Sequence, residues 1–122
     1  MKRFAIWLLL LPLLVAVGCV TLQPGADPVV VNAERTIEVA RVTLDSFVRF
    51  EFNHRAKCPP AVQDAAERIR REAPAWFERA LRLKAAYKQN RGPDQKADLL
   101  TAVAVIQTAA AESATYLAQH QR

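Results

Sequence analysis

Between Val62 and Tyr87 the residues Val62, Ala66, Ile69, Ala73, Trp76, Ala80, Leu83 and Tyr87 follow one another at intervals of 4, 3, 4, 3, 4, 3 and 4. Only an α-helix returns side chains to one face at that period. The frame passes unshifted through Pro74. A proline inside a helix removes a backbone donor and crowds the preceding turn, at a cost of about 3 kcal/mol. A true break would reset the phase, so the spacing predicts one helix over 60–90, kinked near Pro74.

Two further segments carry the same kind of seam. Val30, Ala33, Ile37, Ala40, Leu44 and Phe47 are spaced 3, 4, 3, 4 and 3, which predicts a helix over 29–55. A rival pattern overlaps it: Val42, Leu44, Ser46, Val48, Phe50 and Phe52 alternate as a strand would, in a stretch rich in β-branched residues. The helix is preferred because no Gly or Pro interrupts 29–57. Asp45–Arg49 and Glu51–Arg55 also place acid before base at i,i+4. Leu99, Val103, Ile106, Ala110, Ser113 and Leu117 form the third seam, in a helix over 93–119. Cys58-Pro59-Pro60 and Asn90-Arg91-Gly92-Pro93-Asp94 are the links. Three helices of similar length with short connections predict an all-α, antiparallel three-helix bundle over 29–122.

The chain ahead of the bundle has a different character. Lys2 and Arg3 precede an uncharged apolar run, residues 4–20, that closes on small residues. This is the layout of a secretory signal. The run is also just long enough to cross a hydrocarbon core of about 30 Å, so an uncleaved N-terminal anchor is the competing reading.

Ala16-Val17-Gly18-Cys19 resembles the lipobox of bacterial lipoproteins, with Ala16 standing where the family more often carries Leu. The resemblance covers residues 1–19. It implies that 1–18 are removed and that Cys19 becomes the acylated first residue. It also implies that Val20, which is not Asp, directs the protein to the periplasmic face of the outer membrane. Acyl chains contribute about 0.8 kcal/mol per buried CH₂, so two or three of them make a firm anchor. Residues 19–28, with Pro24, Gly25 and Pro28, would be the lipidated cysteine and tether, spanning at most about 30 Å. Loss of Lys2 and Arg3 would lower the 17 basic residues to 15 against 12 acidic, a net charge of +3. An exported domain of that modest charge is not expected to meet nucleic acid.

Three side-chain groupings could carry function. On the second helix Asp64–Arg68, Glu67–Arg71 and Glu78–Arg82 have favourable i,i+4 spacing, which leaves Arg70, Arg79, Lys84, Lys88 and Arg91 as a candidate basic face, with a plain solvated helix as the alternative. On the third helix only Glu112 is charged between Leu99 and Gln119, and Ala102, Val105, Ala109 and Tyr116 make a second stripe beside the seam. That stripe is either a broad core arc or a face for a partner helix or self-association. Glu51-Phe52-Asn53-His54 has the E-x-x-H spacing of di-iron bundles, but such sites need a second motif and two more glutamates, and His120 lacks the matching Glu. No metal or other cofactor is expected. Glu51 and His54 continue the first seam as a candidate polar pair.

Cys58 is alone once Cys19 is acylated, so it is either buried and inert or free for an intermolecular bridge; Trp76 and Phe77 read as core. No nucleophile–base set, phosphate loop or cysteine-pair metal motif appears, and three glycines leave little loop for an active site. The expectation is a non-enzymatic scaffold or adaptor, held to the membrane through Cys19 and binding an envelope protein or a second copy through a helix face. A ligand carrier or enzyme built in the bundle core, and a lysis or exclusion lipoprotein of a mobile element, are the alternatives.

Overall fold

The computed structural model describes residues 25–121. The expected signal segment 1–18, Cys19 and the expected tether up to Pro24 lie outside the described residues. Three helices account for nearly all of the rest: α1 (Pro28–His54), α2 (Pro60–Gln89) and α3 (Pro93–His120). A short 3-10 turn, Arg55–Lys57, joins α1 to α2. Each helix packs against the other two. They form an all-α, up-down-up three-helix bundle, with α1 and α3 running in one direction and α2 in the other.

Every helix opens on a proline in its first turn. A first-turn proline gives up no intrahelical hydrogen bond and brings a backbone angle already suited to the helix. Asp27 caps α1, its Oδ1 accepting from the Val29 N–H at 2.8 Å. Gly25, just before that cap, has φ +87°, a left-handed conformation that suits glycine. At the α1–α2 link, Gln63 Nε2 donates to the carbonyls of Arg55 at 2.9 Å and Cys58 at 3.0 Å, holding the turn against the start of α2.

The core follows the seams. All six α1 seam residues and all six α3 seam residues are buried, with Ala102 added from α3. On α2, Ala66, Ile69, Ala73, Ala80 and Tyr87 are buried, while Val62, Trp76 and Leu83 pack partly exposed against them. α2 is continuous through Pro74, whose ring faces solvent. The alternating pattern of 42–52 lies wholly in α1: Leu44 is buried, but Val42 and Phe52 are exposed. Asp45–Arg49 and Glu51–Arg55 do pair, at 3.0 and 3.4 Å. No helix of the described residues is long and apolar enough to cross a membrane.

Candidate functional site

Two surfaces were candidates, and the structure separates them. Most of the cationic one is drawn against α1. Arg70, Phe77, Lys84 and Arg91 recur every seven residues on α2 and its exit, and Asp27, Glu34, Arg41 and Val48 recur every seven residues along α1 and its cap. The antiparallel packing brings them together one by one. Arg91 Nη1 lies 3.4 Å from Asp27 Oδ2. Lys84 Nζ donates to Glu34 Oε1 at 3.1 Å, with Lys88 Nζ 3.9 Å from the same oxygen. The Arg41 guanidinium stands 5.2 Å over the Phe77 ring. Arg70 donates to the Val48 carbonyl at 3.3 Å and to Glu51 Oε2.

Four of the five residues expected to form a free basic face therefore have an acidic partner, and all four, Arg70, Lys84, Lys88 and Arg91, tie α2 or its exit to α1 or its cap. Of the five, only Arg79 makes no ion pair among the described residues. The pairs foreseen within α2 also differ. Arg68 and Arg71 both reach Glu72, at 3.3 and 3.4 Å, and Glu67 pairs with Arg70 at 3.3 Å. The Arg68 hydrogen bond leads the effects that hold the Glu72 carboxyl below its ordinary value.

At the far end of this seam Glu51 is completely buried. It pairs with Arg70, and its hydrogen bond pushes the Arg70 guanidinium further toward the charged form. Arg55 Nη1 stands 3.4 Å from Glu51 Oε1, without hydrogen-bond geometry. The expected Glu51–His54 pair is not formed: His54 is exposed, stacked on Phe50 at 4.4 Å, with Nδ1 2.9 Å from the Phe50 carbonyl. His120 repeats that arrangement on Tyr116. Among the described residues no three metal-ligating side chains converge.

The second surface is a groove between α2 and α3, with a volume of about 640 Å³. Its α2 wall is Ala61, Val62, Ala65, Arg68, Ile69 and Trp76; its α3 wall runs from Thr101 to Tyr116 and includes Ala104, Val105, Thr108, Ala109 and Glu112. The cause is local. Ala61 and Ala65 on α2 and Ala104 and Ala109 on α3 are too short to meet across the gap between two helix axes, so the helices leave a trough. Aromatic rings shape its floor and ends. Trp76 carries the Arg68 guanidinium 5.8 Å above its ring, and Tyr116 stands edge-on to Phe47 at 5.7 Å. A smaller hollow of about 180 Å³ adjoins it, where Arg79 sits with Trp76, Thr101, Ala102 and Val105.

Of the expected α3 stripe, Val105, Ala109 and Tyr116 line the groove. Ala102 is buried and reaches only the smaller hollow. The sequence places Trp76 and Phe77 in the core; both pack against it partly exposed, Trp76 lining the groove and Phe77 lying against α1 beneath Arg41. Ala61, Ala65, Thr101, Ala104 and Thr108 were missed. Their signal was the run of small residues at helical spacing on the outer sides of both helices.

Cys58 is buried beside the same end of the bundle, its Sγ 3.9 Å from the Tyr116 hydroxyl. Burial first, and then this contact, push the Tyr116 phenol up.

Fold and groove together define an all-α three-helix bundle with an apolar trough on its α2–α3 side. Comparison with protein-family models, with curated proteins and with solved structures found no match for the chain.

Proposed function

We propose that this chain is a bacterial envelope lipoprotein, anchored through acylated Cys19, whose bundle is a non-catalytic adaptor that receives an α-helix in the α2–α3 groove. The observation that carries the binding role is the groove itself. It follows α3 from Thr101 to Tyr116. At 1.5 Å per residue that is a trough of about 22 Å, the length of four helical turns. Its lining is apolar or small except for Arg68, Glu112 and a few hydroxyls. Such a trough suits a helix presenting one apolar face, which is a recurrent mode of recognition. The anchor rests on the resemblance at residues 16–19 and on the apolar run before it.

Two measurements test the reading. Metabolic labelling with a fatty acid should mark the wild-type chain and not Cys19→Ser, which should persist as the longer precursor. A photoreactive side chain at Thr108, in the groove, should give a crosslinked product in the native membrane, whereas one at Val39, on the outer side of α1, should give none. An unlabelled wild type removes the lipoprotein assignment. No product at Thr108 removes the adaptor role. The groove volume also lies in the range of small-molecule sites, so a carrier of an apolar ligand is the second reading. Mass spectrometry of an organic extract of the purified protein separates the two.

A further inference from the structure

We infer that the helix filling the α2–α3 groove is α3 of a second copy of this chain, laid antiparallel across a two-fold axis near Thr108. The inference rests on the reading that the groove receives a helix, and names which one. Charge is the first argument. Arg79, at the Thr101–Val105 end of the groove, and Glu112, toward the Tyr116 end, have no ion pair among the described residues. A two-fold axis across α3 at Thr108 brings Glu112 of one copy to the level of Ala104 in the other, where Arg79 stands beside Thr101 and Val105. Symmetry then makes the pair twice. A parallel arrangement would set Glu112 against Glu112.

Shape is the second argument. The helix that enters must be slim and nearly uncharged, and α3 is both. Its side away from the core carries Ala97, Thr101, Ala104, Thr108, Ala111 and Thr115, all exposed, and Glu112 is its only charge between Leu99 and Gln119. Small residues let two backbones approach closely. Because α3 supplies both the inserted helix and one wall of the trough, each copy fills the other's groove, as an isologous interface requires. The result is a four-helix layer of two α2 and two α3 helices. The two Gly25 ends leave it in opposite directions, so both tethers reach one membrane when the helices lie along its surface.

The experiment uses the full acylated chain in its native membrane. The Thr108 photoproduct should have twice the mass of the chain and contain only this chain. Thr108→Cys, in a Cys58→Ser background, should give a disulfide-linked dimer on mild oxidation, and Val39→Cys should not. Arg79→Glu and Glu112→Arg should each lower dimer yield by roughly three- to tenfold, and the double reversal should restore it. Both positions are exposed, so the fold survives either change. A Thr108 product containing a different protein overturns the inference and leaves the adaptor reading standing. A double reversal that does not restore the dimer overturns the antiparallel register. No product at all removes both readings.

Discussion

Arg70 of α2 binds the fully buried carboxyl of Glu51 on α1 and the Val48 carbonyl in the preceding turn of the same helix. One guanidinium thus fixes the register of two antiparallel helices at the end away from Asp27. Removing it leaves a buried acid with no hydrogen-bonding cation, only Arg55 standing 3.4 Å away. Arg70→Met should lower unfolding free energy by about 3–5 kcal/mol, measured by urea titration. Replacing both partners, Glu51→Leu with Arg70→Met, should cost much less, because no buried polar group is then left alone. A double variant as unstable as the single would show that the pair is not what makes Arg70 important.

Asp27 is the corresponding tie at the other end. Its Oδ1 caps α1, and its Oδ2 accepts from the Tyr87 hydroxyl at 3.1 Å and faces Arg91. Burial pushes its carboxyl up, but the hydrogen bonds from Val29 and Tyr87 and the charge of Arg91 outweigh that, and the group titrates below its ordinary value. A lowered folded-state value means that the carboxylate's stabilisation is complete above the ordinary carboxylate range. It is lost as pH falls through the lowered value. Thermal melts from neutral pH downward should show this loss in the wild type and a weaker one in Asp27→Asn. Identical acid limbs would contradict the assignment.

Pro74 sits on the solvent side of an unbroken helix. Pro74→Ala restores the donor for the Arg70 carbonyl and should raise stability, by up to about 3 kcal/mol. A fall in melting temperature would show that α2 needs the proline as the start of a separate segment.

Cys58 is 7% exposed and touches Tyr116. A thiol reagent should modify it slowly in the native protein and rapidly once the chain is unfolded in urea. Rapid native modification would mean that the α1–α2 link opens away from α3.

The bundle was legible in the sequence because each seam repeats within a single helix. Val30 to Phe47 and Leu99 to Leu117 are buried as their spacing requires. The charges were harder to read. Lys84 finds Glu34, and Arg91 finds Asp27, across an antiparallel interface whose register no local window contains. The i,i+4 rule therefore assigned Arg68 and Arg71 to Asp64 and Glu67, and left Arg70 and Lys84 free. Glu51 was visible as a continuation of the α1 seam, but its partner lies 19 positions away. The groove was half legible. Val105, Ala109 and Tyr116 stood out as apolar, whereas Ala61, Ala65 and Thr108 act by being small, and a pattern of hydrophobicity does not register missing volume.

The Asp27 tie also decides how the bundle meets a mechanical load. A pull from residues before Gly25 arrives first at the cap of α1. Were the cap bonded to its own helix alone, tension would peel α1 away turn by turn, breaking one hydrogen bond at a time. Oδ2 instead passes the strain to Tyr87 near the end of α2 and to Arg91 in the link to α3. Three segments must therefore yield at this first contact before α1 can begin to peel, so the cap raises the force at which unravelling starts.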